Sequence, residues 1–439
     1  MPRINQKVLG RLIKLLINFI ERKTSTFSIN NRSNAELVHY YYEIVRNWNK
    51  INYIFKRKLK STKKLIIIGN FSIAKYFIAI YLIIWEKQDV LKVGTELNLS
   101  STTIDLFKNL EFFSWNKELS GKYETERLSL QLAVPSFMIK KLVDTMNTDS
   151  IRANINYMDH QSERTIFFFR INDLIFDKTK DDAPDLILAE LKEQGINVKQ
   201  DTHFSNLYLT EVKNKKKLLI SRFFKEKKLI IQDKASYAVA HLLDPHVNEL
   251  IFDVCAAPGI KTSIIAQLSQ NKSRIFANDF NTTRIDALSH FLSGLNVENT
   301  HLINSDGIAF PLRFNNFFDK ILLDAPCTGS GTFSTNPELK WRQNEGFLHQ
   351  NLTLQEKLLK SAIKLLKPSG ILVYSTCSLY PEEGEHQVLK IFDQLKPMEL
   401  PKWFSPSYKI DNQYIPGTGR LFPATHQTKG FFIAKFKKK

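Results

Sequence analysis

Two motifs in the second half of the sequence place thiols and an acid where they could do chemistry. In DKILLDAPCTGSG, a short apolar segment breaks into a turn rich in Pro and Gly, which presents the carboxylate of Asp324 and the thiol of Cys327. In YSTCSLYPEEGE, Cys377 follows another apolar segment and also lies in a polar turn. Cysteine can act as a covalent nucleophile, and a carboxyl group as a general acid or base. These residue types in turns therefore indicate a reactive site rather than packing.

The segments around these motifs predict the sheet that must position them. Short apolar strands are predicted at Leu250–Val254, Arg274–Ala277, Thr300–Ile303, Lys320–Leu323 and Ile371–Tyr374. Helices are predicted between them, at Thr262–Leu268, Thr283–Leu292 and Leu354–Leu366. This alternation is typical of a doubly wound parallel α/β sheet, whose ligands bind outside the carboxyl ends of the strands.

Three cysteines and three aspartates each follow one of these strands within a few residues. They are Cys255, Cys327, Cys377, Asp279, Asp306 and Asp324. We therefore expect all six along one edge of the sheet. Cys255, which directly follows a strand, is equally consistent with a small apolar core residue. Cys327 and Cys377 lie in polar turns, which favours chemistry over packing.

The turn DVCAAPGIKT, Asp253–Thr262, has the composition of a ligand-binding turn. Its small residues let a ligand approach the backbone, and the helix that follows offers its N-terminal amides. It matches neither GxGxxG nor a P-loop, which disfavours nicotinamide and ATP. Asp279 is placed to accept hydrogen bonds from a ribose, and Asp306 to contact an adenine. Together these features suit an adenosyl ligand, most simply S-adenosylmethionine.

Composition restricts the class of protein. The 439-residue sequence has a formal net charge of +18, which favours a nucleic-acid partner, although a lysine-rich surface gives the same excess. Its three cysteines form no CxxC pair, which disfavours a disulfide scaffold or a metal site and predicts reduced thiols. Leu12–Ile20 is interrupted by Lys14, so no secretory signal is expected. Leu65–Trp85 contains Lys75, so a buried helix over Ser72–Lys87 is favoured over a membrane span.

The pattern along the chain predicts three domains. Residues 1–122 are predicted to be helical, from apolar-periodic runs at Val8–Ile20, Asn34–Lys58 and Ser72–Lys87. Residues 123–222 are predicted to form a small α+β module. Its predicted helices are Ser136–Met146 and Ala183–Gly195, and its predicted strands are Ile166–Ile171, Leu207–Leu209 and Lys217–Ile220. Residues 223–439 carry the α/β pattern, and Gly430–Phe436 is predicted to be a last strand that closes the edge of the sheet.

Five segments in sequence order resemble one known family. They are LIIQDKASYAVAHLL, DVCAAPGIKT, LLDAPCTGSGT, YSTCSLYPEEGE and GRLFPATHQTKGFFIAKF. Over about Leu229–Lys435, their order and spacing are similar to those of the RNA cytosine-5 methyltransferases of the Fmu/Sun/Nop type. FFRIN, Phe168–Asn172, resembles the Arg-x-Asn segment of that family's small N-terminal module. TERLSLQLAVPSFMIKKLV, Thr125–Val143, resembles the preceding segment in the bacterial ribosomal-RNA branch, in which a NusB-like helical domain comes first.

The resemblance implies a Rossmann-like methyltransferase domain that binds S-adenosylmethionine. The implied cofactor contacts are Cys255, Ala256, Ala257, Pro258, Gly259, Ile260, Lys261, Asp279, Arg284, Asp306 and Asp324. It also implies that Cys377 is the nucleophile and that Cys327 is the thiol that helps to release the product. Ile260 departs from the family, which commonly has glycine there. We expect a tighter turn that still binds the cofactor.

The chemistry of cytosine explains why such residues are needed. Carbon 5 is a weak nucleophile, and a thiolate that adds to carbon 6 makes it enamine-like. Lys261 and helix amides are expected to favour ionisation of that thiol, and Asp324 to exchange a proton near ring nitrogen 3 as a general acid. The target base must leave its stack to enter the pocket. Three further acids of YPEEGE, Glu382, Glu383 and Glu385, are expected to be a solvated helix start.

Other functions stay open at this point. In a cytosine-5 DNA methyltransferase, the Pro-Cys thiol, here Cys327, would be the nucleophile instead of Cys377, but the basic N-terminal modules favour RNA. A ribosome-assembly factor could keep the same fold and bind RNA without catalysis. Among RNA substrates, we expect ribosomal RNA of the 16S type, with transfer RNA as the alternative. We expect a monomer in the cytoplasm, with no membrane partner.

Overall fold

The chain separates into two compact units. A computed structural model describes residues 4–22, 35–60, 69–159, 165–176 and 184–439. The first unit comprises Met1–Asp144 with Thr335–Glu345, and the second comprises Thr145–Ser334 with Gly346–Lys439. The predicted division into three domains, with boundaries after residues 122 and 222, stays a prediction.

The first unit is helical. Its helices are α1 (Gln6–Arg22), α2 (Ala35–Arg46), α3 (Trp48–Lys60), α4 (Asn70–Ile84), α5 (Val90–Glu96), α6 (Ser101–Phe107), α7 (Trp115–Leu119), α8 (Glu124–Gln131) and α9 (Ser136–Leu142). Short 3-10 turns at Leu110–Phe112 and Pro337–Arg342 belong to the same unit. The apolar faces of α1 to α4 share one core, in which the ring of Trp48 lies 4.9 Å from Phe19 and 4.5 Å from Phe77. The predicted helical character of this region is confirmed.

One predicted helical run is interrupted. Asn34–Lys58 forms α2 and α3 instead of one helix, and Asn34 itself lies outside the described residues. The break falls at Asn47, whose side-chain amide and backbone N–H both donate to the carbonyl of Glu43. A side-chain amide that competes for a helical carbonyl favours such a break.

The apolar stretch Leu65–Trp85 contributes a helix to the core of the first unit. Its described part is α4, which packs through residues such as Phe77 and Ile80, while Leu65–Ile68 lies outside the described residues. No helix within the described part of the chain is long and apolar enough to cross a membrane. The expected buried helix is therefore the observed structure.

The second unit begins with a small α+β region. Its elements are α10 (Thr148–Asp159), β1 (Ile166–Ile171), α11 (Pro184–Glu193), β2 (Lys199–Gln200), β3 (Leu207–Glu211), α12 (Lys215–Ile220), α13 (Arg222–Lys225) and β4 (Leu229–Ile231). The four strands form an antiparallel sheet in the order β2–β3–β1–β4. Lys217–Ile220, predicted as a strand, is the end of α12. This helix buries Leu218 and leaves its lysines in solvent.

The rest of the second unit alternates strands and helices. Its elements are α14 (Lys234–Leu242), β5 (Leu250–Asp253), α15 (Ile260–Leu268), β6 (Arg274–Asp279), α16 (Thr282–Ser293), β7 (Thr300–Asn304), β8 (Phe318–Asp324), α17 (Glu345–Leu365), β9 (Leu366–Thr376), α18 (Glu385–Leu389), β10 (Leu395–Pro397), β11 (Ser405–Pro406), β12 (Thr418–Leu421), α19 (Pro423–His426) and β13 (Phe431–Lys438). Successive residues of β5 alternate between two apolar cores, Ile251 in one and Phe252 in the other, as expected for a strand covered on both faces.

These strands form a nine-stranded sheet in the order β11–β12–β13–β9–β8–β5–β6–β7, with β10 paired to β13. Strands β9, β8, β5, β6 and β7 are parallel, which confirms the predicted α/β sheet. The chain order reverses between β5 and β8, and ligands bind at the carboxyl ends of strands beside such a reversal. The prediction that the last strand closes the edge is wrong. β13 lies inside the sheet, because β12 pairs with its outer side.

Candidate active site

The parallel pairing of β8 and β9 brings the two cysteine motifs together. Asp324 at the end of β8 lies opposite Ser375 of β9, and the hydroxyl of Ser375 donates to Oδ1 of Asp324 over 2.7 Å. Beyond these strand ends, the sulfur atoms of Cys327 and Cys377 lie 3.1 Å apart as free thiols. Both side chains are half-buried. Two thiols and a carboxylate thus lie together at the carboxyl ends of β8 and β9.

Lys261 pairs with the same carboxylate from the opposite side. It lies in the first turn of α15, and its Nζ lies 2.5 Å from Oδ2 of Asp324, with the ring of Phe431 5.5 Å away. Burial disfavours the charge of Lys261, but the charge and hydrogen bond of Asp324 outweigh it, so the pKa of Lys261 is raised. The electrostatic interaction with Cys377 raises the pKa of Lys261 further. A permanent cation therefore stands beside the carboxylate and the thiol pair.

The thiol of Cys327 is in direct contact with that of Cys377. The hydrogen bond to Cys377 and then burial raise the pKa of Cys327 well above its usual range. Either thiol can donate its S–H to the sulfur of the other, so a proton can pass between them.

The turn Cys255–Lys261 connects β5 to α15. Ala256 and Ala257 are buried, Pro258 is exposed, and Ile260 is the half-buried first residue of α15. Gly259 has a φ of +106°, and a Cβ there would lie 2.6 Å from the side chain of Leu288. Only glycine fits that conformation without displacing a neighbour. The small residues thus let the backbone of the turn pass close to α16.

Cys255 packs against the apolar core that contains Phe252. Burial raises the pKa of its thiol above the usual range, with help from the neighbouring acid Asp253. Of the two interpretations open for Cys255, its surroundings favour the core residue, because its side chain packs against apolar neighbours.

Asp279 and Arg284 anchor this turn to the end of β6. Oδ2 of Asp279 accepts the N–H of Ala257 over 3.3 Å, and Oδ1 accepts the N–H of Asn281 over 3.0 Å. The half-exposed guanidinium of Arg284 lies 3.3 Å from Asp279 and donates to the carbonyl of Ala257 over 2.6 Å. Asp306, after β7, is exposed, and its Oδ1 accepts the N–H of Ile308. Acids therefore lie at the end of β6 and just after the end of β7.

Asp253 begins the turn and was not singled out as a site residue from sequence. It is fully buried, and burial raises its pKa to about 7. Oδ2 accepts the hydroxyl of Thr262 over 2.7 Å, whereas Oδ1 is buried without a hydrogen-bond partner in the described part of the chain. Its position directly before the turn was the sequence signal that could have identified it.

The acids of YPEEGE were predicted to be solvated, and this is wrong for two of them. Glu383 and Glu385 are completely buried. Glu385 forms a buried ion pair with Arg420 at 2.5 Å, and Arg420 also donates to the carbonyl of Ser378, next to Cys377. Neighbouring Leu, Tyr and Pro residues fold these acids inward, where hydrogen-bond donors compensate their burial. The apolar flanks of the motif were the available signal.

Arg170 on β1 of the small sheet contacts α15, the helix that follows the turn Cys255–Lys261. It is fully buried and donates to Gln267 and, over 2.6 Å, to Ser263, both of which lie on α15. Asn172 donates to the carbonyl of Leu295 over 3.1 Å. The Arg-x-Asn segment therefore connects the small sheet to the helix that follows the turn.

Comparisons with known proteins identify relatives of the second unit. A family model described as 16S rRNA methyltransferase RsmB/F matches residues 240–437. The probable ribosomal RNA small subunit methyltransferase B of Synechocystis sp. is 37% identical over 217 residues, covering 47% of this chain and 47% of that protein. The tRNA (cytosine(49)-C(5))-methyltransferase of Pyrococcus abyssi is 34% identical over 222 residues, covering 48% of this chain and 70% of that protein. The chain thus spans about half the length of the first relative.

Solved structures with a similar fold extend the comparison. PH0851 matches with a TM-score of 0.78 and 25% identity, and the match covers 100% of both chains. NSun6 from Pyrococcus horikoshii with SFG matches with a TM-score of 0.59 and 23% identity, covering 69% of this chain and 98% of that chain. Both likenesses agree with the α/β architecture described above.

Proposed function

Because this chain belongs to the RNA cytosine-5 methyltransferase family of the Fmu/Sun/Nop type, we propose that it transfers a methyl group from S-adenosylmethionine to carbon 5 of a cytosine in RNA. The observation that carries this proposal is the contact between the thiols of Cys327 and Cys377 beside the Lys261–Asp324 pair. Covalent activation of a pyrimidine uses a thiolate nucleophile, which a neighbouring cation can stabilise and a proton donor can assist.

The turn at the end of β5 fits S-adenosylmethionine, which supplies an activated methyl group when it is bound. The ligand carries hydroxyl and amino donors, and the site offers carboxylate acceptors at Asp279 and Asp306. A further acceptor, Oδ1 of Asp253, is buried without a partner among the described residues. The amides at the start of α15 suit the ligand's carboxylate. We assign the contacts to Cys255–Lys261, Asp279, Arg284, Asp306 and Asp324.

Cys377 is the proposed nucleophile. Its thiolate adds to carbon 6 of the cytosine, and the pair of electrons gained by the ring makes carbon 5 able to accept a methyl group. Lys261 stabilises the thiolate by its charge. The choice of Cys377 over Cys327 is supported by the resemblance of YSTCSLYPEEGE to the motif that carries the nucleophile in the family.

Asp324 is proposed to handle the proton at ring nitrogen 3. Negative charge develops there when the thiolate adds, and Asp324 can pass to the nitrogen the proton that it shares with Lys261. Its hydrogen bonds to Lys261 and Ser375 hold the group in one orientation. A fixed orientation avoids reorganisation during the step.

Cys327 is proposed to assist product release. After methylation, the proton on carbon 5 must leave, and its bonding electrons expel the thiolate of Cys377 from carbon 6. As the carbon-5 proton passes to the sulfur of Cys327, its bonding electrons form the double bond between carbons 5 and 6, the C6–S bond breaks, and the thiol proton of Cys327 passes to the departing sulfur of Cys377.

Ribosomal RNA of the small subunit is the proposed substrate, supported by the RsmB/F family model and the Synechocystis relative. The Pyrococcus abyssi relative favours transfer RNA as the second candidate. Bisulfite sequencing of total RNA from cells with and without the gene separates them, because the modified cytosine disappears from one class of RNA only. Loss from transfer RNA alone would overturn the ribosomal assignment.

Two assays test the activity itself. Isothermal calorimetry with S-adenosylmethionine and methyl transfer to bulk RNA should both be positive. A protein that binds RNA but neither binds nor consumes the cofactor would be an assembly factor. Full activity of Cys377→Ala together with its loss in Cys327→Ala would indicate the DNA-type assignment of the nucleophile.

The first unit is proposed to be a NusB-like domain that helps to recruit RNA. Its helical structure and the net charge of +18 support this role. We further propose a monomer that works in the cytoplasm. Basic surfaces make RNA affinity fall steeply with salt, so binding measured over a range of salt concentrations tests the charge argument.

A further inference from the structure

Glu383 is completely buried in the turn after Cys377, and it contacts both cysteine motifs. Its backbone carbonyl accepts the hydroxyls of Tyr374 over 2.8 Å and Thr376 over 3.3 Å, at the end of β9. Its carboxylate reaches the other motif, where it accepts the N–H of Thr328 over 2.9 Å and also the hydroxyl of that residue. One residue thus joins the strand before Cys377 to the peptide after Cys327.

Gln355 completes this connection from α17. Its buried amide donates to the carbonyl of Pro326 over 2.8 Å and to Oε1 of Glu383 over 3.0 Å. Pro326 directly precedes Cys327, and Thr328 directly follows it. The Glu383–Gln355 pair therefore holds the backbone on both sides of Cys327.

Packing alone is a poor reason for a carboxylate at this position. Burial raises the pKa of Glu383, which means that the surroundings disfavour its charge. Apolar side chains of similar volume often replace buried charges without loss of stability. The carboxylate of Glu383 interacts with Thr328, directly after Cys327, and with the hydroxyl of Ser378, directly after Cys377, so it fixes the peptides of the two thiols relative to each other.

We infer that Glu383 is a positioning residue, which acts with Gln355 to hold the thiol of Cys327 against the sulfur of Cys377. The inference rests on the proposed function, in which Cys327 assists release of Cys377 from the methylated base. A displaced Cys327 thiol would leave methyl transfer possible but would slow release. The covalent adduct between Cys377 and RNA would then persist.

Glu383→Gln tests this, because it keeps the side-chain shape but places an amide N–H₂ among donors. We expect steady-state turnover to fall about 10- to 100-fold, because small displacements of reacting groups lower rates by about this much. Affinity for S-adenosylmethionine should change less than about 2-fold, since the cofactor turn is untouched. Denaturing gels should show the RNA adduct that accumulates in Cys327→Ala. The control is Glu356→Gln. Glu356 follows Gln355 on α17, and its carboxylate pairs with Lys360 and Lys390 at the surface.

The decisive experiment measures the lifetime of the adduct in Cys327→Ala with and without Glu383→Gln. In a Cys327→Ala background, adding Glu383→Gln should leave the adduct lifetime unchanged, because the thiol that Glu383 positions is already gone. A further change of lifetime in that background would show a merely structural role and overturn the inference. Thr328→Val, which removes one donor at equal volume, serves if Glu383→Gln fails to fold, and it should also accumulate adduct.

The two levels of proposal fail in different ways. If no variant, including Cys327→Ala, forms an adduct at Cys377, the proposed function is wrong. If Cys327→Ala accumulates adduct while folded Glu383→Gln or Thr328→Val releases RNA at the wild-type rate, only the positioning role of Glu383 is wrong.

Discussion

Cys255 and the pair Cys327–Cys377 follow strands of the same parallel sheet, but their surroundings differ. Cys255 packs on the apolar core beside Phe252, and burial raises the pKa of its thiol. Cys327 and Cys377 contact each other, and hydrogen bonds from polar residues hold the peptides that carry them. The sheet therefore brings a thiol to its edge in each case, and the polar partners decide whether that thiol is held for chemistry.

The largest expected difference is in activity. Cys377→Ala removes the proposed nucleophile and should lower the rate of methyl transfer at least about 10³-fold. Initial rates with labelled S-adenosylmethionine and RNA measure this, with a melting curve to show that the variant is folded. A rate within tenfold of wild type would remove the contrast between the cysteine pair and Cys255.

Asp324→Asn should come next. It removes the negative partner of Lys261 and the group proposed to share the proton at nitrogen 3, so the rate should fall about 10²- to 10⁴-fold. Single-turnover measurements at saturating cofactor and RNA separate this chemical effect from binding. An unchanged single-turnover rate would limit Asp324 to holding the cofactor.

Arg420→Met tests the buried support of the Cys377 motif. The change leaves Glu385 as an unpaired buried charge, so the free energy of unfolding should fall by about 3–5 kcal/mol. Denaturant titration measures it. The double variant Arg420→Met with Glu385→Leu should recover part of the loss, and failure of any recovery would argue against charge pairing as the cause.

Asp253 allows a pH test of the first turn. Burial raises the pKa of Asp253 to about 7 in the folded protein, above the value of about 3.9 expected when unfolded. Folding then favours the protonated form, so this contribution to stability is fully present below about pH 4 and is lost as the pH rises to about 7. The stability difference between wild type and Asp253→Asn should therefore change over this range. A constant difference would contradict the raised pKa.

Cys255→Ala should have the smallest effect. It removes a half-buried sulfur from an apolar contact, which should cost about 1 kcal/mol of stability and change the rate of methyl transfer by less than about 3-fold. Parallel melting curves and rate assays with Cys377→Ala measure the contrast. A large loss of rate with intact cofactor binding would place Cys255 among the reactive thiols.

Much of the sheet could be predicted because its strands are locally distinct. The five parallel strands are short, apolar and separated by helical periodicity, which is the strongest signal in a sequence. Lys217–Ile220 was misassigned because its apolar residues resemble a strand, whereas the helix is set by burial of Leu218 against the small sheet. The inner position of β13 depended on β12, a four-residue strand that lacks a distinctive pattern.

The candidate site shows a similar limit. The residue types at the strand ends predicted that Cys327, Asp324 and Cys377 would share one edge, and the structure brings them together. The apolar flanks of YPEEGE indicated the burial of Glu383, but its partners could not be predicted, because Thr328 and Gln355 on α17 are both distant in sequence. Acids at the start of a helix are usually exposed to solvent, but here hydrogen bonds from Thr328 and Gln355 compensate the burial of Glu383.

The inner position of β13 has a consequence for synthesis of the chain. β9, which leads directly to Cys377, pairs on one side with β8 and on the other with β13. While a ribosome is still adding the residues before Phe431, β9 has an open edge of unpaired N–H and C=O groups, and such edges recruit other chains. The strand that leads to the reactive motif therefore gains its second neighbour only after β13 has been made. Mutations that weaken β13 should reduce the yield of soluble protein before they affect the finished site.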